Sequence, residues 1–166
     1  MKSCVVIYNP NSGHTLKTKH LKEYKIILEK HGYSARFIGT EYRGHAKEII
    51  SHLDKCDLVI SMGGDGTFNE AVTGNLQRKD RLVLAHIPVG TTNDVGVMFG
   101  YGKDIKRNLS LLLDGVIKEM DICIINGQPF VYVAGFGKFM HIPYQTSRKL
   151  KKKWGYMAYL IEGVKD

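Results

Sequence analysis

The chain has 166 residues, of which 43% are hydrophobic and 24% are charged, and its formal net charge is +8. These shares are typical of a water-soluble globular protein, and no apolar run is long enough to span a bilayer, which excludes a helical membrane protein. The length allows one full domain plus part of another. The positive charge favours an anionic partner, either nucleotide phosphate, nucleic acid or an acidic membrane, without choosing among them.

Two further features predict a cytoplasmic location. The N-terminus runs directly into a strand-like segment, so we expect no signal peptide. The three cysteines, Cys4, Cys56 and Cys123, are far apart and lie in or beside apolar segments. An odd number at this spacing predicts reduced thiols in the protein core.

Apolar strand-like runs alternate with amphipathic helical stretches over the first two-thirds of the chain. This alternation predicts a Rossmann-like α/β fold, a mostly parallel sheet with helices on both faces, over residues 1–118. The predicted strands are 3–8, 35–38, 58–62 and 82–87. The predicted helices are 18–31, 45–53 and 105–113, the last capped by Asp104, with two more that start after Thr67 and after Thr92.

The pattern changes near Glu119. Residues 121–125 and 130–134 flank Asn126 and Gly127, a pair that strongly predicts a β-hairpin, and a last helix is predicted over 147–164. Two antiparallel strands after a series of βα units indicate the beginning of a second, β-rich domain over residues 119–166. Because one hairpin and one helix cannot close a domain, we expect this domain to be incomplete and Asp166 to be a boundary, not a natural end.

A glycine-rich turn follows the third predicted strand, with the sequence Gly63-Gly64-Asp65-Gly66-Thr67. Glycines allow the backbone to turn tightly and to approach a ligand closely. Thr67 and Glu70 have the spacing of a capping box, which predicts that a helix opens here and that its free N–H groups form an anion site. The alternative is a plain connecting turn, in which Asp65 would be unusual.

Two other turns follow predicted strands in the same way. One is Pro88-Val89-Gly90-Thr91-Thr92-Asn93-Asp94, and the other is Asn9-Pro10-Asn11-Ser12-Gly13. Ordinary helix-start chemistry suits Thr92 and Asp94 equally well. If their strands are neighbours, however, all three turns lie at the carboxyl edge of one sheet, where α/β folds bind ligands.

Taken in order, these turns together with the Asn69-Glu70 pair resemble the catalytic domain of the diacylglycerol kinase family, in particular its soluble bacterial members and the related sphingosine and ceramide kinases. The similarity covers nearly the whole chain and continues through 120–122, 133–137, 149–151 and 155–159. The glycine-rich turn alone is less specific, since NAD kinases share it.

The resemblance implies a lipid kinase that uses ATP and Mg²⁺ to phosphorylate a lipid hydroxyl. Asp65 is the internal candidate for the catalytic base, and Asp65 and Asp94 are candidates for holding the metal. The family also places an essential acidic residue beyond Asp166, in which case this chain alone binds nucleotide without turnover. The implied nucleotide-binding residues are Asn9, Ser12, Gly13, Gly63, Gly64, Gly66, Thr67, Gly90, Thr91, Asn93, Asp94 and Asp121.

Two features of the basic residues concern contacts with nucleotide phosphates and with anionic lipids. The family usually has an arginine shortly after the Asn-Asp pair, where this chain has Val95-Gly96-Val97, so one positive charge near the phosphates is missing. A basic cluster on the last predicted helix is either a solvated face or a contact with anionic lipid headgroups at the inner membrane surface. Its members are Arg148, Lys149, Lys151, Lys152 and Lys153.

Alternative functions remain open at this point. One is an NAD kinase-like phosphotransferase acting on a soluble nucleotide, and another is a nucleotide-binding regulatory protein that has lost turnover. A nucleic-acid binder has only the net charge in its favour, so we expect no nucleic acid partner. We expect a lipid substrate met peripherally at an anionic membrane, and a homodimer is also open.

Overall fold

A four-stranded sheet lies at the centre of the computed structural model, which describes residues 1–12 and 18–134. Its strands are β1 (Lys2–Tyr8), β2 (Tyr33–Gly39), β3 (Leu58–Gly63) and β4 (Leu84–Pro88). They pair in the order β2-β1-β3-β4, and all three pairings are parallel. The parallel α/β prediction is therefore confirmed.

Helices cover both faces of this sheet. Side chains alternate along each strand, so Cys4 and Val6 of β1 face one core and Val5 and Ile7 face the other. All six residues of β3 are buried, as expected for a central parallel strand. The helices are α1 (Thr18–Lys30), α2 (His45–His52), α3 (Asp65–Leu76), α4 (Asp94–Met98) and α5 (Ile105–Leu113). Of these, α1 and α5 contribute to the first core, and α2, α3 and α4 to the second.

The start of α3 differs from its prediction. The helix begins at Asp65, because Gly64 is already the extended N-cap residue, with φ −87° and ψ 179°. The capping box of Thr67 and Glu70 is wrong as well. Glu70 instead accepts a hydrogen bond from the Gly44 N–H at 2.9 Å, which ties α3 to the start of α2.

The predicted hairpin is present, but its second strand is shifted. Strands β5 (Cys123–Ile125) and β6 (Gln128–Phe130) are antiparallel, and Asn126 and Gly127 both have positive φ. A two-residue turn pairs Ile125 directly with Gln128, so the predicted strand over 130–134 starts two residues too late. The ladder ends where the Val131 N–H donates to a side chain of α3.

The cysteines confirm one expectation and correct another. All three are free thiols, but Cys4 is buried, Cys56 is half-buried and Cys123 is exposed, so a core position for all three is wrong. Burial and, to a lesser degree, the neighbouring Cys56 raise the pKa of Cys4 to about 12.

Two other predictions concern the membrane and the end of the chain. Within the described ranges, no helix is both long and apolar enough to cross a bilayer. The predicted helix over 147–164 lies outside the described residues.

Candidate functional site

Three predicted turns lie at one edge of the sheet, as the sequence pattern required. The Asn9 N–H donates to the Met62 carbonyl at 3.1 Å, and the Val89 N–H donates to the Gly63 carbonyl at 2.8 Å, so each turn adjoins β3. Strands β2 and β3 flank β1 on opposite sides. The chain therefore changes direction across the sheet between β1 and β3, and the crevice at such a switch point is the usual ligand site of open α/β sheets.

The turn after β3 touches the turn after β4 through two glycines. A Cβ atom at Gly90 would lie 2.6 Å from Cα of Gly64 and 2.9 Å from Oδ1 of Asn93. No residue with a side chain fits at Gly90 without displacing the neighbouring backbone. Asn93 stabilises this turn from within, because it accepts a hydrogen bond from the Gly90 N–H at 2.7 Å and donates to the Gly90 carbonyl at 3.0 Å.

Asp65 joins the same two turns by hydrogen bonds. Its carboxylate accepts from the N–H of Asp94 at 3.2 Å and from the N–H of Val95 at 3.0 Å. These are first-turn N–H groups of α4, which have no acceptor within their own helix. Asp65 therefore caps α4 from the neighbouring turn, a role that the sequence did not suggest.

The N-terminus of α3 is open to a ligand. The N–H groups of Thr67 and Phe68 bond to the Gly64 carbonyl at 2.9 and 3.2 Å, but those of Asp65 and Gly66 have no acceptor among the described residues. Gly66 is exposed. Free N–H groups at the positive end of a helix dipole favour an anion. This geometry fits the phosphate chain of a nucleotide.

The first turn is held mainly by its own residues. The side-chain oxygen of Asn9 accepts from the Asn11 N–H at 2.9 Å, and the Asn9 carbonyl accepts from the Ser12 N–H at 3.0 Å. This turn adjoins the crevice, and Gly13 lies outside the described residues.

The remaining predicted positions fall into three groups. Thr91 is exposed on the turn beside Gly90, and the half-buried Asp94 carboxylate has no hydrogen-bond partner among the described residues. Asp121 is exposed, and no contact with the turns is described for it.

No cluster of three or more His, Cys, Asp or Glu side chains suited to a metal ion occurs in the described ranges. The basic residues Arg148, Lys149, Lys151, Lys152 and Lys153 lie outside those ranges.

A buried histidine lies beneath the turns, and sequence reasoning missed it. His86 of β4 pairs in register with Ser61 of β3, and its Nδ1 atom lies 3.1 Å from the Ser61 carbonyl oxygen. Its ring stacks on Phe68 of α3 at 4.7 Å between centroids. Burial lowers the pKa of His86 to about 4, partly offset by the Ser61 hydrogen bond, so the ring is neutral near pH 7. The sequence signal that could have identified His86 is a single histidine inside an apolar predicted strand.

The fold and these turns define the class of the protein: a doubly wound α/β domain whose glycine-rich turns converge at the switch point. The model of the diacylglycerol kinase catalytic domain family matches residues 3–125. The chain belongs to this family, and the predicted resemblance is confirmed.

Similar proteins are found among both sequences and structures. The chain is 37% identical to the diacylglycerol kinase of Bacillus subtilis strain 168, over 99% of this chain and 55% of that protein. It is 38% identical to the diacylglycerol kinase of Staphylococcus epidermidis strain RP62A, over 98% of this chain and 52% of that protein. A crystal structure of a diacylglycerol kinase from Bacillus anthracis strain Sterne superposes with a TM-score of 0.70 at 29% identity, covering 78% of this chain and 48% of that one. The chain thus spans about half the length of these relatives.

Proposed function

We propose that this chain is the nucleotide-binding part of an ATP-dependent lipid kinase, which transfers the γ-phosphoryl group of ATP to the hydroxyl of diacylglycerol or a similar lipid. The observation that carries the proposal is the junction of the two turns. Gly64 meets Gly90, Asp65 caps α4, and the N–H groups of Asp65 and Gly66 have no acceptor among the described residues. Phosphoryl transfer depends largely on positioning and charge neutralisation, which such a junction supplies.

The lipid acceptor is supported by family membership and by the relatives from Bacillus and Staphylococcus, which are named diacylglycerol kinases. In the proposed reaction the lipid hydroxyl oxygen forms a bond to the γ-phosphorus, and the bond from that phosphorus to the β,γ-bridging oxygen breaks. ADP leaves, and the hydroxyl proton passes to a base. The products are ADP and a phosphorylated lipid.

Asp65 suits a positioning role better than the role of that base. Both of its carboxylate oxygens accept main-chain N–H groups, so moving the side chain toward a substrate would leave the first turn of α4 uncapped. We therefore assign the proton acceptor to a residue other than Asp65.

Magnesium fits the remaining acidic group at the junction. Mg²⁺ usually takes one or two carboxylates, several waters and phosphate oxygens. Asp94 is half-exposed at the start of α4, and its N–H donates to the Asp65 carboxylate at 3.2 Å. We propose that Asp94 would hold the ion, which would supply positive charge to offset that of the phosphate chain when bound.

A transfer assay tests this function on the native protein that carries this sequence. Purified protein is mixed with Mg²⁺ and ATP labelled at the γ-phosphate, and with vesicles of anionic or neutral phospholipid that contain diacylglycerol, ceramide or sphingosine. NAD is offered as a soluble acceptor in parallel. We expect label in the lipid phase, more of it with anionic vesicles because of the net charge of +8. Label on NAD alone, or nucleotide binding without transfer to any acceptor, contradicts the proposal.

A matched pair of glycine variants links the assay to the turn junction. Gly90→Ala places a Cβ atom 2.6 Å from Gly64, whereas a Cβ atom at Gly102 meets nothing within 4 Å. We expect Gly90→Ala to lower kcat/KM for ATP by about tenfold or more, because the added methyl group pushes the two turns apart. A tenfold loss corresponds to about 1.4 kcal/mol of transition-state stabilisation. Gly102→Ala is expected to stay within about twofold of the wild type. If both variants were equally active, the junction of the two turns would not be part of the nucleotide site.

A further inference from the structure

Four asparagine side chains in the described part of the chain imitate a peptide group. Each donates through its Nδ2 atom to one main-chain carbonyl and accepts at Oδ1 from a main-chain N–H. Three of these pairs are local, since Asn75 bonds to Leu82, Asn93 to Gly90 and Asn108 to Gly102. A local pair of this kind stabilises the loop that follows or precedes its own helix.

The fourth asparagine, Asn69, makes a long-range pair. It donates to the Pro129 carbonyl at 3.4 Å and accepts from the Val131 N–H at 3.1 Å, 60 and 62 residues along the chain. Helix α3 is thereby connected to the β5–β6 hairpin. Asparagine is a poor residue for a helix interior, so its place in the middle of α3 is accounted for by its side chain and not by helix propensity.

Among the residues that the structure describes, few other contacts hold the hairpin to the domain. All three residues of β5 are exposed, and Ile122 and Val131 are the segment's residues that pack against the core cluster beneath α3. A two-stranded hairpin is marginally stable by itself. The two hydrogen bonds of Asn69 are therefore a large part of what sets the hairpin's position relative to α3.

Asn69 and Asp65 are separated by four residues on α3, so they lie on the same face of the helix, one turn apart. Asp65 binds the first turn of α4, and Asn69 binds the hairpin. One rigid helix thus connects the phosphate-binding turns to the segment with which the second part of the chain begins.

We propose that Asn69 is a positioning residue for phosphoryl transfer. It fixes the β5–β6 hairpin, and with it the acceptor-binding part of the protein, at a set distance from the γ-phosphate held at the N-terminus of α3. This inference rests on the proposed lipid kinase function. It requires Asn69 to affect the transfer step and not the binding of nucleotide, because both hydrogen bonds of its side chain go to the hairpin segment.

The test compares Asn69→Ala with Asn75→Ala in the native protein. Asn75 makes the same pair of hydrogen bonds from the same helix, but to Leu82 at the opposite edge of the sheet. For Asn69→Ala we expect a Kd for Mg-ATP within about twofold of the wild type and a kcat for lipid phosphorylation lower by about 10- to 100-fold, the scale of a misplacement of about 1 Å. Amide hydrogen exchange over residues 123–131 should become faster. Asn75→Ala should lower Tm but leave kcat per folded molecule within about twofold.

Asn69→Asp is a milder variant, because it keeps the acceptor for Val131 and loses the donor to Pro129. It is expected to give an intermediate kcat with an unchanged Kd for Mg-ATP. If Asn69→Ala is folded and has the kcat of the wild type, or if its loss lies entirely in nucleotide affinity, the inference is overturned while the kinase function stands. A wild-type protein without lipid phosphorylation overturns the proposed function and this inference with it.

Discussion

At the scale of single residues, His86 is a buried titratable group whose folded and unfolded pKa values differ widely. Its pKa in the folded protein is about 4, against about 6.5 in an unfolded chain. Between these values the unfolded chain binds more protons, so the free energy of unfolding is highest above pH 6.5 and decreases as the pH falls toward 4. Burial favours the neutral ring, and the hydrogen bond to the Ser61 carbonyl offsets part of this effect.

Replacing His86 with leucine should therefore reduce the acid sensitivity of the fold. Between pH 7.5 and pH 5 we expect His86 to account for about 2 kcal/mol of the wild-type loss in stability. Urea unfolding at the two pH values measures this loss, and His52→Gln, a change at an exposed histidine, serves as the control. If His86→Leu loses as much stability on acidification as His52→Gln does, the buried neutral histidine is not the cause.

The sequence identified the type and place of most candidate site residues but not their partners. Asp65 was visible in the glycine-rich turn, yet its hydrogen bonds to Asp94 and Val95 depend on β3 and β4 being neighbours. Strand order is decided by the whole sheet and leaves no local pattern. The same holds for Asn69, whose partners follow it by 60 and 62 residues.

At the scale of elements, the crossing of α2 and α3 depends on Gly74. A Cβ atom at this position would overlap the carbonyl oxygen of Lys47, so the two helices touch backbone to backbone. Helix propensity alone predicts that Gly74→Ala stabilises the protein by about 1 kcal/mol. The close contact predicts the opposite sign, a destabilisation of about 1–3 kcal/mol from overpacking.

Chemical denaturation of Gly74→Ala shows whether the substitution raises or lowers the free energy of unfolding. Thr73→Ala, one residue earlier, is the control, since its half-buried hydroxyl bonds to the Asn69 carbonyl of the same helix. A stabilised Gly74→Ala variant would mean that the helices are farther apart than described.

Periodicity predicted the elements that rely on their own sequence. Helices α1, α2 and α5 lie within one residue of their predicted bounds, and Asp104 caps α5 by accepting from Lys106 and Arg107 as expected. The errors are at β2, β4, α3 and β6. Strand β2 starts two residues earlier than predicted and β4 two residues later. The observed starts of α3 and β6 depend on Gly64 in an extended conformation and on the two-residue turn at Asn126 and Gly127. Periodicity alone does not set such ends.

At the scale of the whole molecule, the two edges of the sheet differ in what they offer an anion. The carboxyl edge presents the open N-terminus of α3. At the other edge lies a groove in which Arg78 donates to the carbonyls of Ile50 and Leu53 at 2.8 and 2.6 Å and so satisfies the end of α2. Its other charged lining residues are of both signs: Lys55, Arg81, Asp54, Asp57 and Asp80. A polyphosphate is therefore expected at the carboxyl edge.

An NMR titration of the ¹⁵N-labelled chain with Mg-ATP tests this placement most directly. The predicted result is a saturable shift of the amide signals of Asp65, Gly66 and Gly90, with little change over residues 54–57 and 78–83. Shifts confined to those latter residues, or no shift at millimolar Mg-ATP, would contradict a nucleotide site built from the two joined turns.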